Sequence, residues 1–280
     1  MDLNDAHVLI TGASRGIGAA MAKQFAAAGA RVSVAARSTE ALNAVAEPIG
    51  ASVFTVDLFD EEQTDSLIGR VEAEAGPIDV LMSNAGVEET DHFHRVDVDT
   101  LRRVTRINLE APIVLTRHVL PGMLARNQGH LSYTSSLAGT GGFPALATYG
   151  ATKAGLSNFA AALRMELRDT AITTTVIAPG PVSTDMWGVV EHQEAAAPIV
   201  QRLSSLQLLP VKTPEYVAKR SVAAVKSGRR HVRTPRRLST NFWLREVPSR
   251  LTEVIMTGVD VGPKAGEVQA ERSDGETGAA

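Results

Sequence analysis

The sequence predicts a single doubly wound parallel α/β sheet of about seven strands, with helices on both faces. Three observations lead there. Short β-branched runs alternate with longer stretches of helical periodicity from His7 to Ala178. A glycine-rich turn follows the first of those runs, and neither a repeat nor a linker interrupts the pattern before residue 180. The composition fits a globular chain: of 280 residues, 44% are hydrophobic and 21% charged. A formal net charge of −3 argues against strong attraction to nucleic acid or anionic lipid. The absence of cysteine excludes disulfides, thiolate zinc sites and cysteine nucleophiles. The acidic start Met1-Asp2-Leu3-Asn4-Asp5 is unlike a basic secretory leader, so the expectation is a soluble, cytoplasmic protein.

The expected strands are His7–Thr11, Arg31–Ala36, Ser52–Val56, Asp79–Ser83, His130–Ser135 and Thr173–Ala178, with His231–Thr234 as a seventh at an edge. Helical periodicity covers Gly16–Ala28, Glu40–Glu47, Glu61–Glu74, Val98–Arg126 and Thr148–Leu167. Beyond Pro179 the texture changes. Residues 185–212 read as an amphipathic insertion over a substrate cleft, and Thr213-Pro214-Glu215 announces another helix: a threonine N-cap, proline at the first position, an acid in the first turn. The catalytic domain is expected to span 1–235. Residues 236–261 carry a basic amphipathic pattern, and 262–280 are Gly-, Glu- and Ala-rich with no apolar face, as in a disordered tail.

The segment Leu9-Ile-Thr-Gly-Ala-Ser-Arg-Gly-Ile-Gly18 fits two patterns. One is the G-x-S-x-G elbow of serine hydrolases, with Ser14 as nucleophile; a nucleophile after the first strand would be unusual for that fold. The other is a phosphate cradle. Gly12 would form the tight turn, Gly16 admit the pyrophosphate, and Gly18 let helix pack on strand, with the positive helix end aimed at the phosphates. At the end of the second strand, where enzymes using NAD carry an acid for the ribose, the chain reads Ala35-Ala36-Arg37-Ser38. Arg37 and Arg15 together suit a 2′-phosphate, which favours NADP(H) over NAD.

Further along, Tyr149-Gly-Ala-Thr-Lys153 places a phenol and an ammonium on one helix face. A nearby cation lowers a phenol's pKa toward the range useful for acid–base work. Ser136 stands at the end of the fifth expected strand, Asn84-Ala85-Gly86 at the end of the fourth, and Asn108 in the helix between. In their order and spacing these motifs resemble the short-chain dehydrogenase/reductase family over about residues 5–225. The resemblance implies a Rossmann-type fold and an NAD(P)-dependent oxidoreductase that interconverts a carbonyl and an alcohol. Ser14 then belongs to a cofactor loop with Gly12, Arg15, Gly16, Ile17 and Gly18.

The same resemblance implies a role for each remaining position. Asp57 contacts the adenine, and Asn84, Ala85 and Gly86 support the sheet beside the cofactor. Pro179, Gly180, Val182 and Thr184 hold the nicotinamide end. Asn108, Ser136, Tyr149 and Lys153 form the catalytic tetrad: Ser136 polarises the carbonyl, Tyr149 transfers the proton, Lys153 lowers the tyrosine's pKa and grips the ribose, and Asn108 links Lys153 to solvent through its backbone and a water. Met186 and Trp187 are expected to line a moderately apolar substrate cleft with Ser136 and Tyr149, aided by Leu206, Leu208 and Leu209. The family further implies a homodimer, through the helices near 98–126 and 148–167, or a tetramer.

Arginines beside Leu238, Phe242 and Leu244 allow peripheral lipid contact through 236–257; without an accompanying motif, nucleic acid is not expected. His92 and His94, with Glu88, Glu89 and Asp91, read as a loop over the site rather than a metal centre. Two other functions fit the fold: a nucleotide-sensing binder without turnover, and an epimerase or lyase with tightly held cofactor.

Overall fold

A computed structural model describes residues 1–205 and 210–234. In chain order the elements are β1 His7–Thr11, α1 Gly16–Ala27, β2 Arg31–Ala36, α2 Thr39–Ala46, β3 Ser52–Thr55, α3 Glu61–Ala75, β4 Val80–Ser83, α4 Val98–Thr105, α5 Ala111–Ala125, β5 Gly129–Thr134, α6 Ala147–Glu166, β6 Ile172–Ala178, α7 Asp185–His192, α8 Ala197–Ser205, α9 Pro214–Ser227 and β7 His231–Arg233. The seven strands form one sheet in the order β3-β2-β1-β4-β5-β6-β7, every pairing parallel. The strand order reverses between β1 and β4, and open α/β sheets bind ligands in the crevice at the carboxyl ends of such a pair.

Period-two alternation divides the core. Val8, Ile10, Val34, Val80 and Met82 face a layer with Met21 and Phe25 of α1 and Val217 and Val225 of α9. Leu9, Leu81, Leu131 and Tyr133 face Leu67 of α3, Leu115 of α5 and Leu156 of α6. Both faces are covered, so β1 and β4 are buried at every position, as strands of a parallel sheet should be. Local chemistry sets several helix starts: Ser38, Asp60, Asp97 and Thr213 each accept a hydrogen bond from a first-turn amide of α2, α3, α4 and α9.

One expectation needs correction. The segment read as one helix, Val98–Arg126, is α4 and α5 joined by a π-turn at Arg106–Glu110. Periodicity cannot reveal it, because one extra residue per turn costs only a local shift in the ladder. The insertion after Pro179 resolves into α7 and α8. Residues 236–261, the lipid-contact pattern within them, the 262–280 tail and Leu206, Leu208 and Leu209 lie outside the described residues. No described helix is long and apolar enough to cross a membrane.

His130 on β5 is wholly buried; Thr173 Oγ1 contacts Nδ1 at 2.8 Å, while Nε2 has no partner among the described residues. Burial pushes its pKa from 6.5 down to about 3. The unfolded chain therefore binds a proton that the folded chain refuses. The stability this histidine confers is complete above pH 6.5 and is lost as pH falls toward 3. In urea unfolding, the stability advantage of wild type over His130→Gln should shrink on acidification by about 1.4 kcal/mol per pH unit within that window. A difference that does not change with pH would contradict it.

Candidate active site

The turn after β1 is built by steric necessity. Gly12 (φ +67°) and Gly16 (φ +57°) adopt left-handed backbone. A Cβ on Gly12 would stand 2.7 Å from Ala85 Cα, and one on Gly18 would collide with the Gly12 carbonyl oxygen. The cap position of α1 is Arg15, whose side chain makes no capping bond, and the first turn holds no acid. The leading amides of α1 and its positive end are thus left to an external anion.

Thr11 and Asn84 stitch the β1–β4 seam. Thr11 Oγ1 accepts from the backbone N–H of Asn84 and of Ala85, both at 3.1 Å. Asn84 Nδ2 donates to Thr11 O at 3.1 Å, and its Oδ1 accepts from Thr134 Oγ1 at 3.2 Å. Three strand ends are tied through one amide.

Two adjacent serines follow β5. Ser135 is buried and donates to Lys153 O at 2.8 Å, tying strand to helix. Ser136 lines the large cavity, and its Oγ accepts the Ala138 amide at 3.1 Å. On α6, Tyr149 and Lys153 both line the same cavity. The Lys153 ammonium is buried, donates to Thr134 O at 2.9 Å and sits 5.6 Å from the Tyr149 ring centre. Burial lowers its pKa to about 8. The π-turn aims Asn108 at the loop beyond β4: Oδ1 accepts from Val87 N at 2.9 Å, and Nδ2 donates to Val87 O at 2.8 Å. Its side chain is fully engaged, which leaves only its backbone for the expected water contact.

The state of Tyr149 departs from expectation. Burial raises the phenol's pKa, the Glu88 charge adds to that, and a side-chain hydrogen bond with Ser136 opposes it. In the free protein desolvation outweighs the neighbouring ammonium. Raised above its ordinary value of 10.0, the phenol is protonated near neutrality, and a cationic ring bound beside it would act in the opposite direction.

The cavity, about 1010 Å³, joins both halves. One half is lined by Gly12, Ser14, Arg15, Gly16, Ile17, Gly18, Arg37, Asp57, Asn84, Ala85 and Gly86. The other is lined by Ser136, Phe143, Tyr149, Lys153, Met186, Trp187 and Val190, with Pro179, Gly180, Val182 and Thr184 between. Thr184 also caps α7, its Oγ1 accepting from Trp187 N at 3.4 Å. Arg15 is not free: Nη1 pairs with Asp185 Oδ2 at 3.0 Å, both side chains being 73% exposed. A pair so exposed is worth little and is readily exchanged.

Sequence reasoning set aside the acids after Asn84-Ala85-Gly86, yet they prove central. Glu89 is 3% exposed, and its Oε2 accepts from Tyr149 N at 3.2 Å, taking over the capping of α6 that Leu146 does not supply. A carboxylate 60 residues away in sequence leaves no local signal for this. His92 and His94 stack on one another at 6.0 Å and do not line the cavity. Among the described residues no group of three His, Asp or Glu side chains is arranged to hold a metal.

A family model described as short chain dehydrogenase matches residues 6–195. This protein is a short-chain dehydrogenase/reductase. A ketoacyl reductase of Nostoc sp. is 34% identical over 225 residues, 79% of this chain and 75% of that protein. A short-chain dehydrogenase of Streptomyces avermitilis superposes with a TM-score of 0.75 at 27% identity, covering 93% of this chain and 100% of that one. A metagenomic short-chain oxidoreductase, solved in complex with NADP, gives a TM-score of 0.68 at 28% identity over 83% of this chain and 98% of that one. As a member of this family the chain is an oxidoreductase of carbonyl and alcohol groups on a fold that binds NAD(P).

Removing the distant cap tests its importance. Glu89→Ala should lower unfolding stability by about 1–2 kcal/mol, while Glu89→Gln, which keeps an acceptor oxygen, should recover most of it. Thermal unfolding monitored by circular dichroism reads both.

Proposed function

We propose that this short-chain dehydrogenase/reductase reduces a ketone or aldehyde of moderately apolar character with NADPH. The observation that carries this reading is the convergence of Ser136, Tyr149 and Lys153 on one wall of the cavity whose other half is the glycine cradle. Two further findings support it: the likeness to a ketoacyl reductase, and the solved neighbour's complex with NADP.

The cradle fits the dinucleotide, since the left-handed Gly12 and Gly16 line the cavity and the first turn of α1 has neither a side-chain cap nor an acid. Those amides would hold the pyrophosphate, Arg37 and Arg15 the 2′-phosphate, Asp57 the adenine side, and Lys153 the ribose hydroxyls. When bound, the cofactor supplies the hydride. The protein supplies the rest. Ser136 donates a hydrogen bond to the substrate oxygen, where negative charge grows in the transition state. Tyr149, kept protonated by its buried surroundings, gives that oxygen its proton. Lys153 holds its positive charge below the ring while anchored to Thr134 O. Trp187, Val190 and Phe143 exclude water from the substrate end.

Tyr149→Phe should reduce kcat by about a thousandfold or more, as loss of a proton donor does, while the Kd for NADPH stays within about threefold. Turnover near the wild-type rate would remove the role assigned to Tyr149. Arg37→Ala and Arg15→Ala should each weaken NADPH binding by about tenfold and leave NADH binding nearly unchanged, since each removes a charge-assisted contact made only to the additional phosphate. Fluorescence titration of both coenzymes tests this, and parallel losses for NADH and NADPH would remove the preference.

A further inference from the structure

One carboxylate at the reacting end of the cavity has no part in the reaction as derived above. Glu88 follows Asn84-Ala85-Gly86-Val87 on the loop beyond β4, lines the cavity and is half-buried. Its side chain accepts one hydrogen bond, from Thr90 Oγ1 at 3.2 Å, and forms no ion pair among the described residues. Its chain neighbour Glu89 accepts the Tyr149 amide at 3.2 Å, so Glu88 stands next to the turn of α6 that carries the phenol, and Glu88 and Tyr149 line the same cavity.

The cations lining the cavity are committed elsewhere. Arg15 is paired with Asp185, and Lys23 and Arg37 belong to α1 and the end of β2, on the cradle side. The Lys153 ammonium donates to Thr134 O. Burial pushes the Glu88 carboxyl upward, the mark of a charge without sufficient solvation or counter-charge. The cavity it lines also presents aromatic and apolar side chains, Phe143, Trp187 and Val190 among them. An anion beside aromatic faces, in a partly dried cleft, is the chemistry that recognises an organic cation.

We propose that Glu88 determines substrate choice by recognising a cationic group: the carbonyl substrate carries an ammonium, primary to quaternary, at the end of an apolar body. This rests on the reductase reading for the reacting carbonyl, but the binding claim stands apart from turnover. The same carboxylate repels a substrate bearing a free carboxylate, so selection works in both directions.

Three matched methyl ketones test it: one ending in trimethylammonium, its neutral tert-butyl isostere, and one ending in carboxylate. Calorimetry on the full chain loaded with NADP⁺, which cannot reduce the ketone, gives Kd without turnover; NADPH oxidation gives kcat/KM. The trimethylammonium ketone is expected to bind at least about tenfold more tightly than its isostere, and the carboxylate ketone more weakly than both. In Glu88→Gln the ratio between cation and isostere should fall toward one, while Glu88→Asp, which keeps the charge, should retain a preference. Equal affinities in wild type, or a preference that persists in Glu88→Gln, would overturn the proposal. The expected binding ratios without turnover of any ketone would uphold Glu88 and overturn the reductase reading; turnover without discrimination would do the reverse.

Discussion

Everything at this site depends on how closely two strand ends approach. At the β1–β4 seam the backbone of Gly12 lies so near Ala85 that a single methyl group would have no room. Thr11 and Asn84 then lock the approach with reciprocal hydrogen bonds between side chain and backbone. This one contact closes the floor of the crevice that the reversed strand order opens. It also sets the height of the glycine turn, and so the point at which the α1 amides emerge. The loop that leaves the seam carries Gly86, Glu88 and Glu89, so cofactor cradle and catalytic helix are referred to the same fixed edge.

From that edge the proposed catalytic side chains are positioned by three longer reaches. Asn108 grips Val87 through both its amide atoms, made possible by the π-turn. Glu89 holds the amide of Tyr149. Lys153 reaches back across the sheet top to Thr134 O. Asn108 uses both amide atoms and so adds rigidity, whereas Glu89 holds Tyr149 N at the cost of an Oε1 buried without a partner among the described residues. The phenol and the serine are thereby held on one wall without contributing much to that rigidity themselves.

Much of this was legible in the sequence, for identifiable reasons. Strands buried on both faces announce themselves as β-branched runs, and the Gly12–Gly18 spacing has few physical meanings after a strand. Ser136, Tyr149 and Lys153 were recognisable because an i, i+4 pair on a helix and a strand-end serine fall in the order and spacing of the family that the chain resembles. What stayed hidden depends on contacts between distant segments. The π-turn leaves the amphipathic pattern nearly intact. The duty of Glu89 as cap of α6 depends on a tertiary approach across 60 residues. The Arg15–Asp185 pair joins positions 170 residues apart. The raised pKa of Tyr149 reflects depth of burial, which composition around a motif does not report.

The run Thr134-Ser135-Ser136 at the exit of β5 carries a consequence for how the chain tolerates change in length. Both serines border the cavity, but Ser135 is committed to Lys153 O, so the register of the strand decides which hydroxyl takes the slot proposed to react. One residue inserted upstream would move Ser135 into the reacting slot and Thr134 into the tying slot, a hydroxyl in each. One residue deleted would bring Leu137 into the reacting slot and leave it chemically mute. The strand is therefore buffered against lengthening and defenceless against shortening, an asymmetry written in three consecutive hydroxyls.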